Sequence, residues 1–69
     1  MVSQGDRVRV NENGGEYIAE VLSTDNFEDP DGNQLFGVKV MDMIREPSYS
    51  LSEGETCNVY PSECSELDE

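Results

Sequence analysis

The segment "GDRVRVNENGGEYIAEVLS", residues 5–23, decides the fold. From Arg7 to Val10 charged and apolar residues alternate one by one. Val8 and Val10 fall on one face and Arg7 and Arg9 on the other, which is the period of a strand. Tyr17, Ala19 and Val21 then alternate with Ile18, Glu20 and Leu22. Both faces of this second strand carry apolar residues, so it is expected to be covered on both sides. Between the two strands, "NENGG" places two adjacent glycines where the chain must reverse, and glycine takes positive φ freely. An antiparallel hairpin follows.

Outward from this hairpin the same alternation continues. "TDNFEDPDGNQ" (24–34) reads as a long loop, and "LFGVKVM" (35–41) as a third strand with Phe36, Val38 and Val40 toward the core. "IREPSYSLSEGE" (44–55) holds a proline, a glycine and several serines, and is expected to be an irregular connection with a short strand around Tyr49 to Leu51. "TCNVYP" (56–61) is a further strand, "PSEC" a tight turn, and "SEL" a closing strand before the acidic end "DE". No helical stripe of useful length appears. The expectation is an all-β fold: one domain, residues 1–69, forming a small five-stranded barrel with a short acidic C-terminal tail.

Composition limits the function. Sixty-nine residues with 35% hydrophobic content, five aromatics and no tryptophan allow only a thin core. Four cations stand against 16 acids, for a net charge of −12. Such a surface repels phosphates and anionic lipid, so neither nucleic acid nor membrane is an expected partner. The acids are scattered from Asp6 to Glu69, and Lys39 is the one lysine. That pattern is expected of a protein adapted to strong salt, where self-repulsion is screened. The alternative is an acidic mimic of nucleic acid that inhibits a DNA-binding protein.

The acidic crowd "DNFEDPDGN" invites a calcium reading. Aligning Gly32 on the sixth position of an EF-hand loop leaves Phe27 at the first position and Val38 at the twelfth, where oxygen ligands are required. Pro30, Asp31 and Gly32 instead supply turn chemistry, so a hairpin turn is expected. Histidine is absent, which removes the commonest acid–base group and any serine triad. Cys57 and Cys64 lack redox spacing and are too few for a closed zinc site. Two free thiols in a cytoplasmic protein are expected, with no cofactor, no metal and no catalysis.

The fragment "CNVYPSECSEL" (57–67) resembles the end of SH3 domains, where one 3₁₀ turn separates the last two strands. "GDRVRV" with "YIAEVLS" resembles the first hairpin of the wider SH3-like barrels, which include KOW chains, Tudor-like chains and relatives of the small barrel protein of photosystem I. The resemblance implies an SH3-like barrel, and Pro61 matches the groove proline of SH3 domains. It implies no activity: Cys64 stands at the groove tyrosine, and the basic surfaces of the other groups are missing.

The expected function is therefore a non-catalytic protein-interaction module, monomeric or weakly self-associating. Tyr60, Pro61, Tyr49, Arg7 and Arg9 are the candidate contacts for an unidentified protein partner. The aromatics and the proline offer amphipathic, rigid surface. The arginines either pair with acids across strands, the ordinary fate of strand charges, or form an island for an acidic partner.

The charge has a direct consequence for stability. At 0.01 M salt the screening length is about 30 Å, longer than such a domain is wide, and at 1 M it is about 3 Å. Unfolding separates the carboxylates, so low salt favours the expanded chain. Thermal melts are expected to show partial or complete unfolding at millimolar salt and a Tm that climbs steeply toward molar KCl. A Tm flat across that range would refute salt adaptation.

Overall fold

The computed structural model describes residues 2–67, so the expected acidic tail lies outside the described residues. The strands are β1 (Arg7–Glu12), β2 (Gly15–Glu28), β3 (Gln34–Arg45), β4 (Thr56–Val59) and β5 (Cys64–Glu66), with a 3₁₀ turn at Pro61–Glu63 before β5. All are antiparallel in one sheet of order β4-β3-β2-β1-β5. The all-β expectation, the five strands and the closing 3₁₀ turn are borne out. Closure is not. The four-residue β4 and three-residue β5 are the two edges, so the sheet is bent and open rather than a closed barrel.

Three boundaries differ from expectation. The first turn is only Asn13 and Gly14, both at positive φ, so "NENGG" is mostly strand. The expected loop 24–34 is largely strand as well, because β2 continues to Glu28 and β3 begins at Gln34. Pairing of Phe27 with Leu35 and of Glu28 with Gln34 extends the ladder to a short turn. Polar side chains there are solvated, and such residues need no alternation to pair. No strand forms around Tyr49 to Leu51; Leu51 instead drops singly into the core.

The core lies on one side of the sheet. Val8, Val10, Tyr17, Ala19, Val21, Val38, Val40, Leu51 and Val59 are its buried members. Phe36, Met43, Cys57 and Cys64 are partly buried against it. The other face of β2 is not covered as expected: Ile18 is half-buried and Leu22 is 39% exposed.

Gly15 fixes how the connection 46–55 meets the first hairpin. A Cβ on Gly15 would lie 2.5 Å from the Pro47 nitrogen and 2.6 Å from its Cα. Beside it, the Ser48 N–H donates to the Asn13 carbonyl at 3.0 Å. Backbone thus packs on backbone, with no flexible side chain to yield. Gly15→Ala is expected to destabilise by about 1–3 kcal/mol, the usual cost of overpacking. Urea unfolding in molar salt measures this, and an unchanged midpoint would contradict the contact.

Candidate interaction face

All four cations project from one face of the sheet, away from the core. Cross-strand partners share a face, and the register sets Arg7 opposite Glu20 and Glu20 opposite Lys39. Glu16 stands opposite Arg45, with Arg9 on its diagonal. The Glu16 carboxylate lies 3.3 Å from Arg9 Nε and 3.9 Å from Arg45 Nη2. Arg45 Nε also donates to the Gly14 carbonyl at 2.7 Å. Each central glutamate is therefore flanked by two cations. Asp42, opposite Ile18, is a further acid on this face.

A groove of about 460 Å³ opens on this face, lined by residues of β2, β3 and β4. A bulge in β2 builds it. Val21 pairs with Val38 but Ser23 with Gly37, so two steps on β2 match one on β3. That slip moves Ser23 to the outer side, against Gly37. A Cβ on Gly37 would lie 2.9 Å from Ser23 Oγ and 3.0 Å from the Phe27 ring, so the glycine makes room for both. Ser23 is 8% exposed, and its hydroxyl has no hydrogen-bond partner. Leu22 and the 43% exposed Phe27 form the apolar walls.

The sequence-derived contacts are not gathered in one place. Arg7 and Arg9 lie on the cationic face. Exposed Tyr60 donates its hydroxyl to Asp29 Oδ2 at 2.9 Å, and Pro61 starts the 3₁₀ turn. Tyr49 exposes part of its ring but donates its hydroxyl to Glu12 Oε1. Glu12, 6% exposed, also accepts from Tyr17 at 2.7 Å and from Asn13 Nδ2 at 3.0 Å. Three donors offset the cost of burying this carboxylate. Cys57 Sγ stands 3.3 Å from the Tyr17 hydroxyl. Glu12 escaped sequence reasoning, although it shares the alternation of Val8 and Val10.

The acidic turn closes on itself. The Asp29 carboxylate accepts from the N–H groups of Asp31 (3.0 Å) and Asn33 (2.8 Å), from Asn33 Nδ2 (3.1 Å) and from Tyr60. The bond from the Asn33 side chain leads in holding Asp29 below the usual carboxylate range. Its lone pairs serve the turn, as expected of hairpin chemistry. Among the described residues no group of three or more acids and cysteines is placed to hold a metal.

The nucleophilic groups are held protonated. Burial, then the bonds to Cys57 and Glu12, pushes the Tyr17 phenol well above its ordinary range. Burial and Glu12 raise Tyr49, and the bond to Asp29 raises Tyr60. Burial also raises the free thiols, Cys57 in direction and Cys64 to about 11. No family model, curated protein or solved structure matches the chain.

Unfolded tyrosines ionise at about pH 10, whereas the folded Tyr17 and Tyr49 phenols resist. Their contribution to stability is thus fully present below that pH and falls as pH rises above it, because only the unfolded chain releases these protons. In an alkaline titration in molar salt, the phenolate absorbance of these two residues is expected to appear together with loss of the fold. Reversible ionisation of all three tyrosines at about pH 10 in a protein that stays folded would refute the bonds assigned to Glu12.

Proposed function

We propose that this chain is a non-catalytic protein-interaction module on an SH3-like scaffold, working in strong salt, with the cation-bearing sheet face as its docking surface. One observation carries the reading: a net −12 chain places all four of its cations on that face. Like-charge repulsion is lowest there, and exposed Leu22 gives apolar area to bury. Arg7 and Arg9 belong to this surface; Tyr60, Pro61 and Tyr49 serve the turn and the Glu12 network instead.

The other parts of the reading have their own supports. Strand order and the 3₁₀ turn between β4 and β5 support the SH3-like scaffold. Thiols and phenols held above their ordinary pKa are poor nucleophiles at neutral pH, which supports a non-catalytic role. Acids spread over Asp6, Asp25 and Glu28 at the end of β2, the turn at Asp29 and Asp31, and Glu53, Glu55 and Glu63 support salt adaptation over mimicry of a single phosphate-like row.

Affinity capture from a native extract in molar KCl tests this reading, comparing the wild type with the Arg7→Glu, Lys39→Glu double variant. Molar KCl screens the three acids that the reversal sets side by side around Glu20, so the variant is expected to fold, which its melt checks, but to lose the partner that the wild type retains. Identical capture by both would refute the docking face. Capture of a DNA-binding protein that is unaffected by the reversal and displaced by DNA would establish the mimic instead.

A further inference from the structure

The groove beside the β2 bulge has three properties that together define a ligand. It is free of acids: sixteen of 69 residues are acidic, yet none of its nine lining residues is. It therefore has no carboxylate to hold a cation. Its polar groups, the Ser23 and Thr56 hydroxyls and the amides of Asn26 and Asn58, are neutral and can each donate as well as accept. Ser23 is the decisive one, since its buried oxygen has no partner among the described residues. A buried hydroxyl left unpaired is costly, and a ligand acceptor reaching it would remove that cost. Phe27 and Leu22 supply apolar walls.

Lys39 stands at the rim. It shares the outer face with Gly37, two residues earlier on β3, and pairs across to groove residue Thr56. Arg7 follows beyond Glu20 in the same row. An apolar anchor seated between Leu22 and Phe27 thus has Lys39 at the rim, with Arg7 beyond it and Glu20 between the two.

We propose that this groove takes an acidic, extended segment of a partner protein. An aliphatic or aromatic side chain of the segment packs between Leu22 and Phe27, its backbone or side-chain oxygen accepts from Ser23, and its neighbouring carboxylates pair with Lys39 and Arg7. This deepens the docking-face reading and rests on it. At molar salt long-range repulsion is screened, so contact pairs and apolar burial decide the recognition.

The test is an amide-resolved NMR titration of the full chain in molar NaCl. One capped peptide alternates Glu with Leu, and a second alternates Lys with Leu. The Glu-containing peptide is expected to shift Leu22, Ser23, Gly37, Thr56 and Asn58 saturably and to bind at least about tenfold more tightly than the other. Gly37→Ala, whose Cβ intrudes on Ser23 and Phe27, and Lys39→Glu are each expected to weaken binding about tenfold or more. Leu22→Asp provides the same test should Gly37→Ala not fold, and Glu46→Gln, exposed in the connection 46–55 and outside the groove, should leave binding unchanged. Preference for the Lys-containing peptide, absence of saturable shifts, or shifts centred on Tyr60 would overturn the proposal. Concentration-dependent shifts of the same residues without peptide would overturn it too, by showing that a second copy of the chain is the occupant. If peptide binding fails while charge reversal still abolishes partner capture, the groove is wrong and the docking face stands. If the peptide binds while reversal leaves capture intact, the docking-face reading fails instead.

Discussion

A core of nine buried apolar side chains has to hold a chain bearing sixteen carboxylates. Those two magnitudes set the terms for everything else. The domain measures 29 × 28 × 19 Å, so in dilute buffer a screening length of about 30 Å leaves every carboxylate within reach of the others. Small residues dominate the interior, five of the nine being valine within β1, β2 and β3. Such a core gives little margin against repulsion. Where acids enter the sheet itself, each central glutamate is compensated locally: Glu16 by Arg9 and Arg45, Glu20 by Arg7 and Lys39. Exposed pairs of this kind contribute little individually, but they prevent these acids at mid-sheet from standing uncompensated.

Glu12 solves the same problem in the opposite way. It falls on the core side of β1 and is satisfied by the hydroxyls of Tyr17 and Tyr49 and by the Asn13 amide. The network joins the first hairpin to the connection 46–55 and, through Tyr17, to Cys57 of β4. A buried carboxylate with neutral donors costs desolvation, and its return is specificity: Tyr49 is fixed although its segment forms no strand. The Tyr49 ring, one of the candidate contacts, is thereby tied to the scaffold. Tyr60 is tied likewise, to Asp29, bringing the last turn of the chain against the β2–β3 turn.

The outer face shows what a single bulge does. Without the slip between Val21 and Ser23, Ser23 would continue the inward row of Tyr17, Ala19 and Val21. With it, the hydroxyl turns outward beneath Phe27, opposite the glycine that leaves it room. The orphan hydroxyl comes from that slip, and a second irregularity between Ser23 and Phe27 precedes the Phe27 ring that lies over Gly37 and walls the groove.

Alternation alone was enough to determine the all-β class, the first hairpin and most of the core, because period-two burial is written residue by residue, while the turn before the last strand was legible in "PSEC" and in the resemblance to SH3 domains. It also placed Arg7 and Arg9 opposite Val8 and Val10, and turn chemistry placed the reversal at Pro30 to Gly32. Polar stretches carry no such signal: the far halves of β2 and β3 looked like loop because solvated strands need no apolar rhythm. Which face gathers Lys39 and Arg45 beside the arginines depends on register between strands, which a single strand cannot specify. The groove depends on a register slip, and the Glu12 network on contact between residues 5 and 37 positions apart in the chain. Those were decided only by the tertiary structure, since pairing, bulging and burial are relations between segments and not properties of any one of them.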